Sequence, residues 1–325
     1  MKRLVTFALA AACAVAAGDL HAQPDRQHLL VVERHADILV VTDTGKLVRN
    51  LTLGTGLELQ PDWSPDGKQI VFVGQSNDGF TLETIGADGK GRRVLLRRPI
   101  TQRIFHPRWS PDGRRLAFVG GAGSALEVVD VSGRNRRSLA KGDVTSYEWA
   151  PNGGKIVFVR SDPSDPMSGT VLAVGVQGGG ERLLVRDARG VAVNPRSGSL
   201  AVVRDRVGIL TARPDGRGEV VAAENGSLPS WSPDGKQLAY VGVELSIVGE
   251  PTSMRPLLIG APASIARKVG AIWAGLEPMR WSRDGTRVGI YAMGEMQRPV
   301  LMVGDPRHGQ LKTVMTDVVA ISWQP

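Results

Sequence analysis

The sequence has a single cysteine, Cys13, and only five histidines among 325 residues. One cysteine excludes a disulfide framework, a cysteine-rich zinc site and an iron–sulfur cluster within one chain. Aromatic residues make up only 5% of the chain, although seven of them are tryptophan, and 40 residues are glycine. That glycine content is well above the usual ~7%. The composition does not suit a helical bundle and favours short strands joined by tight turns.

Long apolar runs are absent except near the N-terminus. Lys2 and Arg3 precede the predominantly apolar segment Leu4–Ala17, and a small-residue cleavage site follows at Ala22. This order is typical of a secretory signal peptide, and the segment is shorter than the ~20 residues that a membrane span needs. We therefore expect residues 1–22 to be a signal peptide, and we expect an exported, periplasmic protein without a transmembrane span.

Two other destinations stay open at this stage. The same kind of signal also directs secretion out of the cell. The stretch Ala10–Cys13 resembles a degenerate lipoprotein cleavage site, which would leave a lipid anchor on Cys13. The leucine that usually stands three residues before such a cysteine is absent, and the apolar run continues to Ala17. The periplasmic interpretation is therefore preferred over the secreted and lipid-anchored ones.

The chain is strongly basic, with a net charge of +8 and an isoelectric point near 10.0. Such a charge favours acidic partners. Basic and aromatic residues do not interleave, so nucleic acid is not an expected partner. Arg92, Arg93, Arg97 and Arg98 fall on a predicted outer strand. We expect them to be solvated charges that prevent strand pairing with other chains.

An internal repeat organises the rest of the sequence. The motif W-S-P-D-G, followed by Lys or Arg and a β-branched or aromatic run, begins at Trp63, Trp109 and Trp231. Weaker copies begin at Trp149 and Trp281, and a truncated copy ends the chain. The repeat anchors are thus Trp63, Trp109, Trp149, Trp231, Trp281 and Trp323, with Val193 as the anchor of one degenerate copy. Their spacing of 38 to 50 residues is close to that of propeller repeats.

The motif also predicts the strands of each repeat. Ser-Pro-Asp-Gly is a β-turn sequence, and a second Gly-containing turn follows later in most units. Each unit then has four antiparallel strands, which is a propeller blade. We predict an all-β fold, with residues 23–325 forming one propeller of seven blades that closes when Val318–Trp323 pairs with the blade beginning at Leu29. Six blades remain the alternative, if the Val193 unit is a loop.

The repeat resembles that of the TolB family. Trp63 to Val73, W-S-P-D-G-K-Q-I-V-F-V, matches the WD-like propeller repeat of that family, and the resemblance runs from about Leu29 to Trp323. It implies a periplasmic propeller that binds other proteins of the cell envelope. TolB proteins carry an α/β domain ahead of the propeller, for which this sequence has no counterpart, and their propeller has six blades. The same repeat occurs in propellers of peptidases and of some lyases, so it is specific for the fold alone.

Catalytic and metal-binding patterns are not found in the sequence. There is no G-x-S-x-G nucleophile motif, the repeated serines are explained by their turns, and no calcium-loop spacing of aspartates occurs. The histidines do not cluster, although His106 directly precedes a predicted inner strand. We therefore predict no catalytic residue, no metal and no cofactor. A lyase-type propeller enzyme would need His106 to meet a second histidine and two carboxylates at the channel mouth.

One face of the propeller is the expected binding face. Both tight turns of every blade fall on the opposite face, whereas the variable connections fall on this one, and variable loops of a repeat array usually bind the partner. Ser161–Gly169 and Glu244–Arg255 are predicted as long loops that flank a short, basic dip. The candidate partner-binding residues are Arg204 and Arg206 in the dip, Ile247, Val248 and Met254 on the longer loop, and Arg108, Glu148 and Arg280 just before the anchors.

The sequence therefore favours a monomeric, non-enzymatic binding or scaffolding protein of the cell envelope with a partly acidic protein partner. A lyase-type enzyme and a ligand or glycan sensor, each with its site at the channel mouth, are the alternatives. A glycan sensor would need aromatic residues at that mouth, and the chain has only three Tyr and six Phe.

Overall fold

The computed structural model describes residues 28–54, 56–121, 123–243, 255–272, 274–275, 277–294 and 298–325. The predicted signal peptide, Cys13, and the candidate residues Ile247, Val248 and Met254 lie outside these ranges. All regular structure in the described residues is β-strand. The strands form seven antiparallel sheets, one for each predicted blade.

Blades 1 to 4 follow one another along the chain. Blade 1 contains β1 (Leu29–Arg34), β2 (Asp37–Thr42) and β3 (Leu47–Asn50); blade 2 contains β4 (Leu57–Trp63), β5 (Gln69–Ser76), β6 (Gly79–Gly86) and β7 (Arg93–Arg98). Blade 3 contains β8 (Ile104–Trp109), β9 (Arg115–Gly120), β10 (Ala125–Asp130) and β11 (Arg137–Ala140). Blade 4 contains β12 (Val144–Trp149), β13 (Lys155–Asp162), β14 (Asp165–Gly175) and β15 (Glu181–Val185).

Blades 5 to 7 complete the array. Blade 5 contains β16 (Gly190–Val193), β17 (Leu200–Arg204), β18 (Gly208–Ala212) and β19 (Val220–Glu224), so the degenerate Val193 unit is a blade and the count of seven is confirmed. Blade 6 contains β20 (Ser227–Trp231), β21 (Leu238–Val241), β22 (Arg255–Gly260) and β23 (Arg267–Ile272). Blade 7 has an innermost strand in two segments, β24 (Ala274–Gly275) and β25 (Arg280–Trp281), followed by β26 (Val288–Met293), β27 (Pro299–Gly304) and β28 (Lys312–Thr316).

The last strand closes the ring as predicted. β29 (Val318–Trp323) pairs antiparallel with β1, with Trp323 opposite Leu30, and supplies the innermost strand of blade 1. The backbone N–H of Gln324 adds a bond of 2.9 Å to the carbonyl of Leu29. Blade 1 is therefore built from both ends of the propeller, which removes two open sheet edges.

The tryptophan anchors join neighbouring blades. Trp63, Trp109, Trp149 and Trp323 are buried, and Trp231 and Trp281 are partly buried, within apolar clusters. Three indole N–H groups donate to the carbonyl of the residue just before the anchor of the preceding blade: Trp109 to Asp62 at 3.2 Å, Trp281 to Ser230 at 3.3 Å and Trp323 to Arg280 at 2.9 Å. A repeated tryptophan thus adds a directional bond between blades, which a valine cannot provide.

The structure of the Ser-Pro-Asp-Gly turns explains why the same residue types recur in each copy of the motif. In the first copy, Ser64 Oγ donates to Asp66 Oδ1 at 2.7 Å and accepts the backbone N–H of Gln69 at 2.9 Å. Gly67 has a φ of 68°, in the left-handed region that favours glycine. The turn serines are therefore structural, as the sequence indicated.

The predicted loop Ser161–Gly169 is wrong. β13 and β14 extend past the blade and pair as far as Asp162 opposite Asp165, so this segment is largely a projecting hairpin. Asp162 Oδ1 accepts the backbone N–H of Ser164 at 2.8 Å, which closes the tip. Pro, Ser and Asp at a tight turn have the same composition as a loop, and only the strand pairing distinguishes the two.

The expectation of solvated arginines is wrong for Arg98 on β7, and Arg92, just before this strand, is exposed but paired with glutamates. Arg98 is buried and its Nη2 donates to both carboxylate oxygens of Glu127 in the next blade, at 2.5 and 2.6 Å. Arg92 bonds to Glu83 at 2.7 Å and to Glu58 at 3.1 Å. Both lie over phenylalanine rings of the blades. These arginines are part of the packing between and within blades, because an outer strand has one face against its neighbour.

Candidate functional site in the central channel

The residues just before the anchors form a ring of one position per blade. From blade 1 to blade 7 the ring positions hold Ser322, Asp62, Arg108, Glu148, Ala192, Ser230 and Arg280. The sequence indicated the charged members, whereas Ala192 and Ser322 belong to units that lack the full motif. Blades 5 and 6 contribute only small side chains, so the ring has most room on that side.

A cavity of about 510 Å³ occupies the channel between blades 3 and 7. Arg108, Glu148 and Arg280 line it together, so three of the candidate residues are neighbours in space. The other charged or polar lining residues include His106, Thr145, Ser146, Tyr147, Arg189, Ser227, Arg255 and Glu277. Several of these lie at the first residues of inner strands, so the cavity belongs to the face that carries the variable connections.

β-Bulges in the inner strands change the direction of side chains next to this cavity. Gln60, His106 and Leu228 have φ values of 53°, 49° and 50°, and the strand register shifts at each of them. Each precedes a proline, which disfavours such a conformation further, so each bulge holds local strain of about 1–3 kcal/mol. Bulges often redirect a side chain next to a binding or active site. His106 and Leu228 line the cavity as a result.

The bulge residues were not identified from the sequence. The signal was present in the proline that stands two residues before Trp63, Trp109 and Trp231. A proline in an inner strand marks a bulge or an edge, because it cannot donate to the ladder.

Asp62 is fully engaged in holding the ring together. Ser322 Oγ donates to Asp62 Oδ1 at 2.8 Å, and the backbone N–H of Trp109 donates to Asp62 Oδ2 at 3.1 Å. Arg108 Nη1 lies 3.5 Å from Asp62 Oδ1, which is an ion pair without a hydrogen bond. Asp62 therefore links blades 1, 2 and 3 and leaves Arg108 with unused donors.

The guanidinium groups of Arg108 and Arg280, which both line the cavity, make no hydrogen bond with any residue in the described ranges. Arg108 Nη1 lies 3.5 Å from Asp62 Oδ1, and Arg280 Nη2 lies 3.7 Å from Glu277 Oε2. The buried Nε of Arg280 has no acceptor in the described residues. Arg98 and Arg204 also have a buried Nε without an acceptor, but their Nη groups bond to glutamates at 2.5–3.0 Å. The channel arginines thus present free donors to the cavity.

The two channel arginines also repel each other. The positive charge of Arg108 is the main cause that lowers the pKa of Arg280, and burial adds to it. For Arg108, burial opposes the charge, but the attraction of Asp62 and Glu277 outweighs it and raises the pKa. Both groups remain charged at neutral pH. A bound anion would relieve their repulsion and supply the missing acceptors.

Glu148 and His106 lie beside this pair. Burial raises the pKa of Glu148, while the charges of Arg280 and Arg108 work in the opposite direction. Burial lowers the pKa of His106, and the charge of Arg108 lowers it further, so the imidazole is neutral at pH 7. The lining of the cavity therefore combines a neutral imidazole with four arginines, Arg108, Arg189, Arg255 and Arg280, and two carboxylates, Glu148 and Glu277.

The other candidate residues lie elsewhere. Arg204 donates to Glu219 at 2.7 and 3.0 Å and to the carbonyl of Arg186 at 3.3 Å, so its charge is offset locally. Arg206 is exposed in the turn between β17 and β18 with a φ of 58°. Arg204 lines a separate cavity of about 280 Å³ with Asp165, Asp187 and Asp205. The structure does not bring these two arginines to the ring, and their role in partner binding stays a prediction.

Metal-binding geometry is not found in the described part of the chain. No three His, Cys, Asp or Glu side chains there come together in a way that could hold a metal ion. No helix in the same ranges has the length and apolar character needed to cross a membrane.

Solved structures with the same architecture are numerous although their sequences are distant. TolB from Acinetobacter baumannii is 16% identical, with a TM-score of 0.60 over 92% of this chain and 66% of that one. The fold is that of a TolB-like β-propeller. Oligogalacturonate lyases share it: the enzyme of Vibrio parahaemolyticus is 14% identical, with a TM-score of 0.67 over 89% of this chain and 85% of that one.

A second oligogalacturonate lyase, solved in complex with manganese, is 16% identical with a TM-score of 0.66, over 89% of this chain and 84% of that one. The described residues of the TolB-like propeller do not provide a ligand set for such a metal. No protein-family model and no curated protein matches the sequence. At these identities the likeness establishes the fold alone, which is shared by enzymes and by proteins of the TolB type.

Proposed function

We propose that this protein is an exported, non-enzymatic binding protein of the cell envelope, and that an acidic segment of a partner protein enters the channel cavity. The observation that carries the proposal is the pair of guanidinium groups, Arg108 and Arg280, that face the cavity without a hydrogen bond. The signal-like order of Lys2, Arg3 and Leu4–Ala17 supports export. The protein acts as a monomer in this proposal.

The energetics favour a carboxylate as the occupant. Hydrogen bonds to charged groups contribute roughly 1.5–3 kcal/mol each, and arginine matches the planar, two-oxygen geometry of a carboxylate. The net charge of +8 also attracts acidic partners over a distance. One carboxylate between Arg108 and Arg280 would satisfy both guanidiniums and reduce their repulsion.

The cavity suits a protein segment better than a sugar. Its lining includes Tyr147 but no Trp or Phe, and Tyr147 is only 7% exposed, with its hydroxyl, which has one proton, facing the carbonyls of His106 and Ala117. A stacking platform for a sugar ring is therefore absent among the described lining residues. The volume of about 510 Å³ accommodates a few side chains of a segment that protrudes from a larger partner.

Affinity capture with residue-mapped crosslinks tests the proposal. The protein is incubated with envelope extract, and crosslinks to co-purifying proteins are located by mass spectrometry. We expect the crosslinks around the channel mouth. We expect the double variant Arg108→Gln, Arg280→Gln to capture at least tenfold less of the partner than the parent protein does. The control variant Arg134→Gln, Arg217→Gln removes the same charge from exposed turns on the opposite face. Equal loss in both variants, or crosslinks on the turn face, contradicts the proposal.

A lyase-type enzyme is the second candidate. It is supported by the fold shared with oligogalacturonate lyases. It is also supported by Arg108 and Arg280, which could bind an anionic substrate beside the neutral imidazole of His106. The test is incubation with oligogalacturonate, with and without manganese, while the ultraviolet absorbance of an unsaturated product is recorded. Turnover that the Arg108→Gln, Arg280→Gln variant loses would favour this candidate over the binding protein.

A further inference from the structure

An apolar cleft lies between blades 2 and 3, next to the channel cavity. It has a volume of about 210 Å³ and is lined by Leu59, Gln60, Gln75, Phe80, Ile100, Arg103, Ile104 and Phe105. Five of these eight residues are apolar or aromatic. Ile100 is 48% exposed at its rim, although it is a large aliphatic side chain. The cleft, so defined, is a pocket with apolar walls and an open entrance.

The cleft also has polar lining, contributed by Gln60, Gln75 and Arg103. The guanidinium of Arg103 lies over the ring of Phe105, 5.9 Å from its centroid, and so sits at the edge of the aromatic wall. The side chain of Gln60 is turned toward blade 3, where its Oε1 accepts the backbone N–H of His106 at 2.7 Å. Leu59 and Phe105 are partly exposed and Ile100 is exposed, so these three side chains are available to contact an apolar guest, whereas Phe80 and Ile104 are buried behind them.

The cleft and the channel cavity are adjacent along one strand. Phe105 lines the cleft and the next residue, His106, lines the cavity, as successive strand residues point to opposite faces. Successive strand residues are only ~3.3 Å apart. Gln60 connects the two pockets through its bond to His106. One short extended segment can therefore reach both.

The two pockets ask for different chemistry. The cavity presents Arg108 and Arg280 without hydrogen-bonded acceptors, which calls for a carboxylate. The cleft presents aliphatic and aromatic walls, which call for one large apolar side chain. Protein surfaces of this kind take most of their affinity from a few such anchors.

We propose that the cleft binds an apolar side chain of the same partner segment whose carboxylate binds Arg108 and Arg280. The protein thus recognises a short motif with one acidic residue and one aliphatic or aromatic residue close by. The inference rests on the proposed function, since it takes the channel as the seat of the carboxylate. It adds the second residue type, and with it the specificity for one partner among many acidic proteins.

Labelled peptides with blocked ends test the motif by fluorescence anisotropy. One series carries Glu and Leu at varied spacing, a second carries Glu and Ser, and a third carries Gln and Leu. We expect the best Glu–Leu peptide to bind roughly tenfold more tightly than its Glu–Ser counterpart, as full burial of one leucine implies. The Gln–Leu peptide is expected to bind at least tenfold more weakly than the Glu–Leu peptide.

Variants of the protein assign the preference to the cleft. Ile100→Ser makes the rim polar, and Gln75→Trp fills the cleft from its half-buried wall. Each should reduce the preference for Leu over Ser to twofold or less and leave the Glu–Ser affinity unchanged. Ile265→Ser is the matched control, because Ile265 is fully exposed in a turn on the opposite face.

The outcomes separate the two proposals. If no spacing gives a preference for Leu, or if both cleft variants keep the tenfold preference, the cleft is not an anchor, and the channel site is unaffected. If Arg108→Gln, Arg280→Gln binds every Glu peptide as well as the parent protein does, the proposed function itself fails. If the Ile265→Ser control loses the preference together with Ile100→Ser, the effect does not come from the cleft and the inference is overturned.

Discussion

Ring closure through Trp323 should control the stability of the whole propeller. Its side chain is 7% exposed and packs in the cluster that contains Leu30, Val32 and Val303, which belong to blades 1 and 7. Its indole N–H donates to the carbonyl of Arg280 at 2.9 Å. The residue therefore joins the last strand to the first blade and to the seventh.

The magnitude follows from these contacts. Replacing a buried tryptophan by alanine costs about 3–5 kcal/mol, because the transfer energy is lost and a cavity remains. Trp323→Phe keeps most of the apolar contact and loses the hydrogen bond, which costs about 1–2 kcal/mol. Trp231→Ala is the comparison, since Trp231 is only partly buried and its buried Nε1 has no acceptor in the described residues. We expect its cost to be the smaller of the two alanine variants.

The unfolding free energies of all three variants are measured by urea unfolding, followed by circular dichroism of the β-strand backbone, because this signal depends little on the tryptophan side chains. The expected order of unfolding free energies is parent, Trp323→Phe, Trp231→Ala and Trp323→Ala, from most to least stable. Deletion of residues 318–325 removes β29 and should abolish the cooperative transition. A deletion variant that unfolds with the parent's midpoint would show that the ring does not depend on β29.

Three further predictions concern charged groups. Glu127→Gln should destabilise the fold by about 3–5 kcal/mol in the same assay, because the guanidinium of Arg98 would stay buried without its carboxylate partner; a loss below about 1 kcal/mol would contradict this. Burial alone would raise the pKa of Asp284, but hydrogen bonds from His28 and from residues of its own turn hold this pKa low. The ionised carboxylate therefore stabilises the fold above about pH 4, and this stabilisation is lost as the pH falls further. His28→Ala removes one of these bonds and should make acid unfolding begin at a higher pH. Glu148→Gln should bind the Glu–Leu peptide more tightly at pH 7, because a carboxylate facing the anion is removed; weaker binding would place Glu148 among the groups that attract the ligand.

The architecture could be predicted because the same physical requirement recurs in every blade. Each unit needs a tight turn, which gives Ser-Pro-Asp-Gly, and an anchor between blades, which gives Trp. Even the degenerate Val193 unit kept its strands, since Leu200–Arg204 and Gly208–Ala212 have the residues of β-strands. Because the pattern repeats, it identifies the strands and turns of each blade, whereas a single copy would not distinguish a blade from another β-structure.

The site was predictable only in part. Position before an anchor was enough to single out Arg108, Glu148 and Arg280, which line one cavity. It could not show which charges are already paired, since Asp62 is held by Ser322 from the last strand of the chain. Nor could it separate the buried pair of Arg98 and Glu127 from solvated edge charge, because that pair forms between two blades.

The channel arginines differ in their bonding from the arginines that pair closely with glutamates within and between blades. Where an arginine contributes to the packing of the blades, as Arg92, Arg98 and Arg160 do, it bonds to a glutamate at 3.1 Å or less. Arg108 and Arg280 are enclosed to a similar degree, yet their nearest carboxylates lie at 3.5 and 3.7 Å. Packing alone does not account for two partly buried charges that repel each other, because their partial desolvation is not offset by close partners. The arrangement is accounted for if the missing partner is an anion that arrives from outside the chain.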